Sequence, residues 1–372
     1  MELSGFTFIM TDDCNYRCSY CYQKRAKTCL DLRTAKRAAD FFRPFLSREC
    51  SINFFGGEPL LAADAIKALV HYIQAGNGHP KKEISFSLAT NGSLLTDDLV
   101  RFLNQHRFSV LLSFDGVSQD VSRKKGSFAP TVAVLRKLLE CPDIELETNS
   151  VFTPGTIDTL YPSLRFIVES GVPNATISLS NHRPWGSAAF FALRRQLSEL
   201  RRFLSSLYGE TGEMPVTNFH KKPGGVFGCL AGKDRMALSP DGRLWGCCFF
   251  YDYSQKKGTP DGLRRCFGSL DSFIRNHRRT YPKTLAAYAS LHMRTFWTSR
   301  TLCASCPDVD DCVVCPADAA FSSGIIGRIM IQDCRMRKVF RAERTRLWQD
   351  LGNRARQTGP ARFPASRGRT NA

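Results

Sequence analysis

Cysteines stand at 14, 18 and 21 within Thr-Asp-Asp-Cys-Asn-Tyr-Arg-Cys-Ser-Tyr-Cys-Tyr, residues 11–22, and the aromatic Tyr20 precedes the last of them. The spacing is C-x3-C-x2-C. Three thiolates on one short loop can hold three irons of a four-iron cluster, which leaves the fourth iron open to a ligand that is not protein. That arrangement builds a reaction centre. A structural zinc site closes four ligands, usually in paired C-x2-C knuckles, and no nearby fourth cysteine or histidine completes one here.

A second set of cysteines lies far along the chain. Cys229 precedes a hairpin expected over residues 235–239 and 243–246, closed by Pro240-Asp241-Gly242, and Cys247 and Cys248 follow it. Then come Cys303-x2-Cys306-x5-Cys312-x2-Cys315 and, last, Cys334. A zinc ribbon binding one zinc could use the run from Cys303 to Cys315, but it would leave the hairpin cysteines and Cys334 without a role. Cys29, Cys50, Cys141 and Cys266 have no partner at ligand spacing and read as ordinary thiols.

These groups need elements to position them. A chain of 372 residues with 43% hydrophobic content can bury a substantial core in two or three domains. Strand-like runs at 3–10, 52–55, 84–89, 108–114, 144–152 and 175–179 alternate with helical patterns at 31–46, 62–75, 96–105, 130–140 and 156–170, with Thr96 as an N-cap. Repeated β-then-α units imply a parallel sheet with helices outside. Six units predict an α/β fold, a partial (β/α)6 TIM-like barrel whose active groups gather at the C-terminal ends of the strands. The cysteine loop follows the first strand. Gly56-Gly57-Glu58-Pro59 follows the second, where glycines allow close backbone approach and Glu58 offers a carboxylate to a cation. Thr90-Asn91-Gly92 ends the third strand and Ser113-Phe114-Asp115-Gly116 the fourth; Asn-Gly and Asp-Gly are also plain turn formers. Arg123 and Asn149, the latter on the fifth strand, complete the candidates.

With its cysteine loop the chain resembles the radical S-adenosylmethionine superfamily, and its C-terminal cysteines resemble the SPASM domain, an extension that carries two auxiliary four-iron clusters. The resemblance implies S-adenosylmethionine and three [4Fe–4S] clusters as cofactors. Cys14, Cys18 and Cys21 would hold the first cluster, with Tyr20 beside it. Gly56, Gly57, Glu58 and Pro59 would meet the amino group of the cofactor's methionyl part. Thr90, Asn91, Ser113 and Asp115 would line the pocket near ribose and carboxylate, with Arg123 near the carboxylate and Asn149 near the ribose. The distal auxiliary cluster would take Cys303, Cys306, Cys312 and Cys334, and the proximal one Cys229, Cys247 and Cys315. Two departures stand out: the last pair is spaced x2 where x3 is common, and no cysteine between Cys229 and Gly242 supplies the proximal fourth ligand. Either Cys248 fills that place or one iron is open to a substrate atom. The implied domains are a barrel at 1–182, a helical bridge at 183–225, a SPASM domain at 226–340, and a basic helix end and tail at 341–372.

The implied activity is reductive cleavage of S-adenosylmethionine to a 5′-deoxyadenosyl radical that takes hydrogen from a peptide. The product would be a thioether or carbon–carbon crosslink, or another oxidative modification, in a ribosomal precursor peptide. The implied partners are a peptide or protein substrate, a low-potential donor such as flavodoxin or ferredoxin, and a separate peptide-recognition protein. Sulfatase maturases of this family carry an Asp base where this chain has Cys248, a candidate catalytic residue, and that difference argues against formylglycine formation. Two other readings are a radical enzyme acting on a small molecule, a sulfatase-type protein or RNA, and a non-catalytic iron–sulfur or zinc protein.

The formal net charge is +18, and residues 335–372 carry eleven Arg or Lys against only Glu343 and Asp350. A basic surface suits an acidic leader peptide, while the end of the chain from Gly352 reads as a disordered, solvated tail, and nucleic acid is the less favoured partner. No run of about 18 apolar residues and no signal-like N-terminus is present, so the reading is a cytoplasmic protein without membrane contact. Its cysteines are then metal ligands and not disulfides.

Overall fold

A computed structural model describes residues 1–76, 82–181, 183–222, 224–256 and 263–358, the last five as backbone. Six strands, β1 (Leu3–Thr11), β2 (Leu46–Gly56), β3 (Glu83–Thr90), β4 (Ser109–Ser113), β5 (Glu145–Phe152) and β6 (Asn174–Leu179), pair in parallel, each with the next. The α/β fold with a parallel sheet is therefore the one expected. Strand β2 starts at Leu46 and not at 52, because exposed Arg48 and Glu49 interrupt the apolar pattern while Leu46 and Glu49 still pair with Leu3 and Glu83.

The helices between the strands are α1 (Leu32–Phe42), α2 (Ala63–Ala75), α3 (Asp97–Gln105), α4 (Gln119–Ser122), α5 (Phe128–Leu139) and α6 (Leu160–Glu169). Local chemistry starts two of them. The Asp31 carboxylate accepts from the Thr34 N–H at 2.9 Å, and the Thr96 hydroxyl accepts from the Leu99 N–H at 3.3 Å, with Asp97 and Asp98 on the positive end of α3. Side chains alternate along each strand. On β4, Val110 and Leu112 are buried, while Leu111 and Ser113 face a central cavity. On the packed side Phe8, Phe54, Phe86 and Phe108 form a run of stacked rings across successive units, with centroids 6.2, 6.3 and 5.5 Å apart.

After β6, helix α7 (Ser187–Thr211) ends at Gly212 in the left-handed region (φ 74°). The hairpin then forms from β7 (Arg235–Leu238) and β8 (Arg243–Trp245), and β9 (Cys266–Ser269) adds to it. It does not make a sheet of its own. Strand β7 pairs in parallel with β1, so that a single nine-stranded sheet runs from β6 to β9 through the boundary expected near 226. Among the described residues the later helices are α8 (Cys248–Ser254), α9 (Leu270–Ala289), α10 (Pro316–Ser323) and α11 (Ile331–Thr358).

Helix α11 continues past Gly352, where composition alone read as disorder. Contacts outside its own sequence hold it: Arg201 of α7 pairs with Glu343 at 3.0 Å and also with Asp350, and the Trp348 indole donates to the Phe219 carbonyl at 2.8 Å. The rest of the expected tail, residues 359–372, lies outside the described residues. Among the described residues no helix is long and apolar enough to cross a membrane.

Candidate cluster and cofactor site

The loop after β1 carries Cys14, Cys18 and Cys21 as free thiols, the first two half-buried and the third exposed. Backbone from the next strand end clamps it: Gly57 N–H donates to the Thr11 carbonyl at 2.9 Å and Glu58 N–H to that of Asp13 at 2.8 Å. A side chain at Gly56 or Gly57 would collide with the backbone of Thr11 or Asp13. The two glycines, which also line the cavity, are thus needed for the approach of one loop to another. Burial raises the Cys14 thiol and pushes Cys18 up to about 11, with Arg123 acting in the opposite direction. Such thiols stay protonated unless a metal compensates the thiolate.

Glu58 is fully buried and lies off the cavity wall. Its carboxylate accepts from the Thr90 hydroxyl at 2.7 Å, the Asn91 N–H at 2.8 Å and the Leu60 N–H at 3.1 Å. It ties the ends of β2 and β3 together, where the sequence read it as facing a ligand's cation. Burial raises its pKa and these donors oppose the shift. Pro59, buried, starts the following turn. Thr90 and Asn91 reach the cavity, and the Asn91 amide donates to Asn15 of the cysteine loop at 2.9 Å.

Asp115 is also withdrawn from the cavity, at 0% exposure. It accepts from the Tyr20 hydroxyl at 2.7 Å, the Val151 N–H at 2.9 Å and Arg123 at 2.9 Å, and Arg123 in turn lies 5.4 Å from the Tyr20 ring centre. Burial works against the Arg123 charge, but Asp115, Tyr20 and Cys18 more than offset it and raise the guanidinium above its ordinary value. Half-buried Tyr20 with buried Asp115 and Arg123 therefore forms one linked unit that fixes the cysteine loop to the ends of β4 and β5. Tyr20, Arg123, Ser113 and Asn149 line the cavity, and the Asn149 amide oxygen accepts from Ser178 at 2.8 Å.

The cavity measures about 640 Å³. Cys14, Cys18 and Cys21 open onto it, and so do Cys306, Cys312, Cys315 and Cys334. The C-terminal thiols fall into two electrostatic neighbourhoods. Cys303 is pushed up to about 11 by burial and then by Cys312, Cys334 and Cys306. Cys247 is raised by burial and then by Cys248, Cys315 and Cys229, and Cys315 is pushed up to about 12 by burial, with Asp318 and Cys229 adding to it. Among the described residues no three His, Cys, Asp or Glu side chains gather tightly enough for a single metal ion, so no mononuclear zinc site is preformed at Cys303–Cys315. A four-iron cube binds each thiolate at a separate iron and does not require that convergence; the all-thiol donor sets fit such clusters.

Cys248 begins α8, off the cavity wall, and its thiol is raised by burial and then by Asp252. That helix grips the first cysteine loop: Tyr251 donates to Asp12 at 2.8 Å, Gln23 donates to Asp252 at 3.3 Å, and the Tyr22 ring packs 5.5 Å from Phe249. Sequence reading missed the buried carboxylates Asp252 and Asp333, both pushed up to about 7 by burial, and Asp318, raised for the same reason. It also missed the cations Lys222, Arg337 and Arg344 on the cavity wall. One signal was available: Asp333, Arg337, Arg341 and Arg344 recur at helical steps of three and four.

Residues 8–172 match the Radical SAM superfamily. The matched region takes in the cysteine loop and the ends of β1 to β5, and the superfamily implies S-adenosylmethionine and a four-iron cluster. The chain is 26% identical over 181 residues to the radical SAM cyclopropyl synthase TigE of Paramaledivibacter caminithermalis, covering 42% of this chain and 37% of that one. It is 33% identical over 109 residues to the serine-type anaerobic sulfatase-maturating enzyme of Klebsiella aerogenes, covering 28% and 27%. The matches thus span well under half of either relative. Beyond the matched region the likeness is one of fold: native anSMEcpe with bound AdoMet and Cp18Cys peptide superposes with a TM-score of 0.73 at 17% identity, covering 95% of this chain and 100% of that one.

Proposed function

We propose that this chain is a radical S-adenosylmethionine enzyme that modifies a peptide, forming a thioether or carbon–carbon crosslink or another oxidised product in a ribosomal precursor. The observation that carries the reading is that the loop of Cys14, Cys18 and Cys21 opens onto the same cavity as four of the C-terminal cysteines. When bound, S-adenosylmethionine on a reduced four-iron cluster supplies hydrogen-atom abstraction from an unactivated C–H bond. Cys14, Cys18 and Cys21 hold that cluster. Gly56, Gly57, Thr90, Asn91, Ser113 and Asn149 shape the cofactor's walls; Glu58, Pro59 and Asp115 position them from behind, while Tyr20 and Arg123 hold the loop in register.

Cys303, Cys306, Cys312 and Cys334 form the distal auxiliary site, and Cys229, Cys247, Cys248 and Cys315 the proximal one. The mutual effects among the thiols of each set support the division. A low-potential donor such as flavodoxin or ferredoxin would supply the electron. A structural relative carrying both AdoMet and a peptide supports peptide chemistry. A second reading, maturation of a sulfatase-type protein, is favoured by the identity to the Klebsiella enzyme.

Anaerobic reconstitution followed by reduction with S-adenosylmethionine tests the proposal. About twelve irons per chain and release of 5′-deoxyadenosine are expected. Release of none refutes the radical reading, and about four irons refutes the auxiliary clusters. Formylglycine appearing on a cysteine- or serine-containing sulfatase peptide selects the second reading.

A further inference from the structure

We infer that Lys222 and Arg344, assisted by Arg337, form a carboxylate-binding subsite on the cavity wall for an acidic residue of the peptide substrate; this rests on the peptide reading above. Helix α11 turns Asp333, Arg337, Arg341 and Arg344 toward one side, and all four line the cavity. Not all of the cations there are free. Arg341 pairs with Asp308 and, at 3.3 Å, with Asp311, and Lys338 reaches Asp308 at 3.9 Å.

Lys222, Arg337 and Arg344 have no ion pair among the described residues. Arg344 is only 8% exposed, and a buried guanidinium without a counter-charge is costly. Lys222 is exposed at the cavity rim, and its ammonium is disfavoured by desolvation and then by Arg344 and Arg337, while Cys312 and Asp311 act in its favour. Arg344 and Arg337 thus each work against the Lys222 charge across the cavity. Arg337 has partners to balance it, since it acts on Cys312, Cys334, Asp318 and Asp333. Arg344 has burial against it, Asp311 for it and Arg341 against it again, with no thiol in its surroundings to make up the difference.

A carboxylate entering the cavity would give Arg344 the direct ion pair that it lacks among the described residues. A lone carboxylate suits the place better than a polyphosphate. Asp308, Asp311, Asp318 and Asp333 stand on the same wall and would repel a run of phosphates, while Met336 and Phe340 give apolar surface to the rest of a peptide segment.

The test uses the reconstituted full chain with S-adenosylmethionine present. Calorimetry compares a blocked Ala-Glu-Ala-Glu-Ala peptide, its Gln counterpart, and an oligouridylate of equal charge. The Glu peptide is expected to bind about tenfold or more tighter than the Gln peptide. Lys222→Gln with Arg344→Gln should remove that preference, and Arg344→Lys alone should keep most of it. Equal binding of the two peptides overturns the inference, as does preference retained in the double variant or tighter binding of the oligouridylate. If the double variant loses iron, Lys222→Gln alone is read against Arg344→Lys in the same way. Release of 5′-deoxyadenosine by the unsubstituted chain is measured alongside: release without a Glu preference sinks the subsite alone, and a Glu preference without release sinks the reaction alone.

Discussion

The two cysteine-bearing regions are built on opposite plans. Cys14, Cys18 and Cys21 sit on one loop at the end of one strand, pinned by hydrogen bonds from the neighbouring strand end and by the linked Tyr20–Asp115–Arg123 unit. The C-terminal cysteines come from a strand approach, the start of α8, two short turns, the start of α10 and the first turn of α11. In the first region spacing along the chain determines which thiols meet. In the second, membership of a site is decided by tertiary packing, and sequence distance tells little.

Four substitutions probe that contrast, beginning with the largest effect. Replacing Cys14, Cys18 and Cys21 together by Ala should abolish 5′-deoxyadenosine release while about eight irons remain, because the C-terminal sets do not share the loop; release at the original rate would break the comparison. Arg123→Gln leaves Asp115 buried without its partner, and the melting transition should register a loss of about 3–5 kcal/mol. Gly57→Ala drives a methyl into the Asp13 backbone, and should cost about 1–3 kcal/mol with preferential loss of the first cluster in electron paramagnetic resonance. Cys248→Ala should change only the signal of the proximal auxiliary cluster, and an unchanged signal removes it as fourth ligand.

Much of the fold was legible because each barrel unit is local: a short apolar strand, a turn, and a helix with a readable cap such as Asp31 or Thr96. What escaped was set by distant contacts. Glu58 and Asp115 looked like groups aimed at a ligand, since strand ends carry sites; only the folded chain shows Thr90, Asn91 and Tyr20 occupying them. The anchoring of α11 just before Gly352 comes from Arg201 and Phe219, more than a hundred residues away. Arg344 and Lys222 gave no signal as a pair, because nothing in their separation marks them as neighbours.

Strand β1 lends one flank of its backbone to β2 and the other to β7, from Gly5 to Phe8. An N-terminal fragment cut before Arg235 would therefore be left with a raw, apolar margin of unsatisfied amides and carbonyls, the kind of margin that recruits copies of itself. Such a fragment should aggregate in size-exclusion chromatography, and residues 8–172 are not a part that can be lifted out and studied alone.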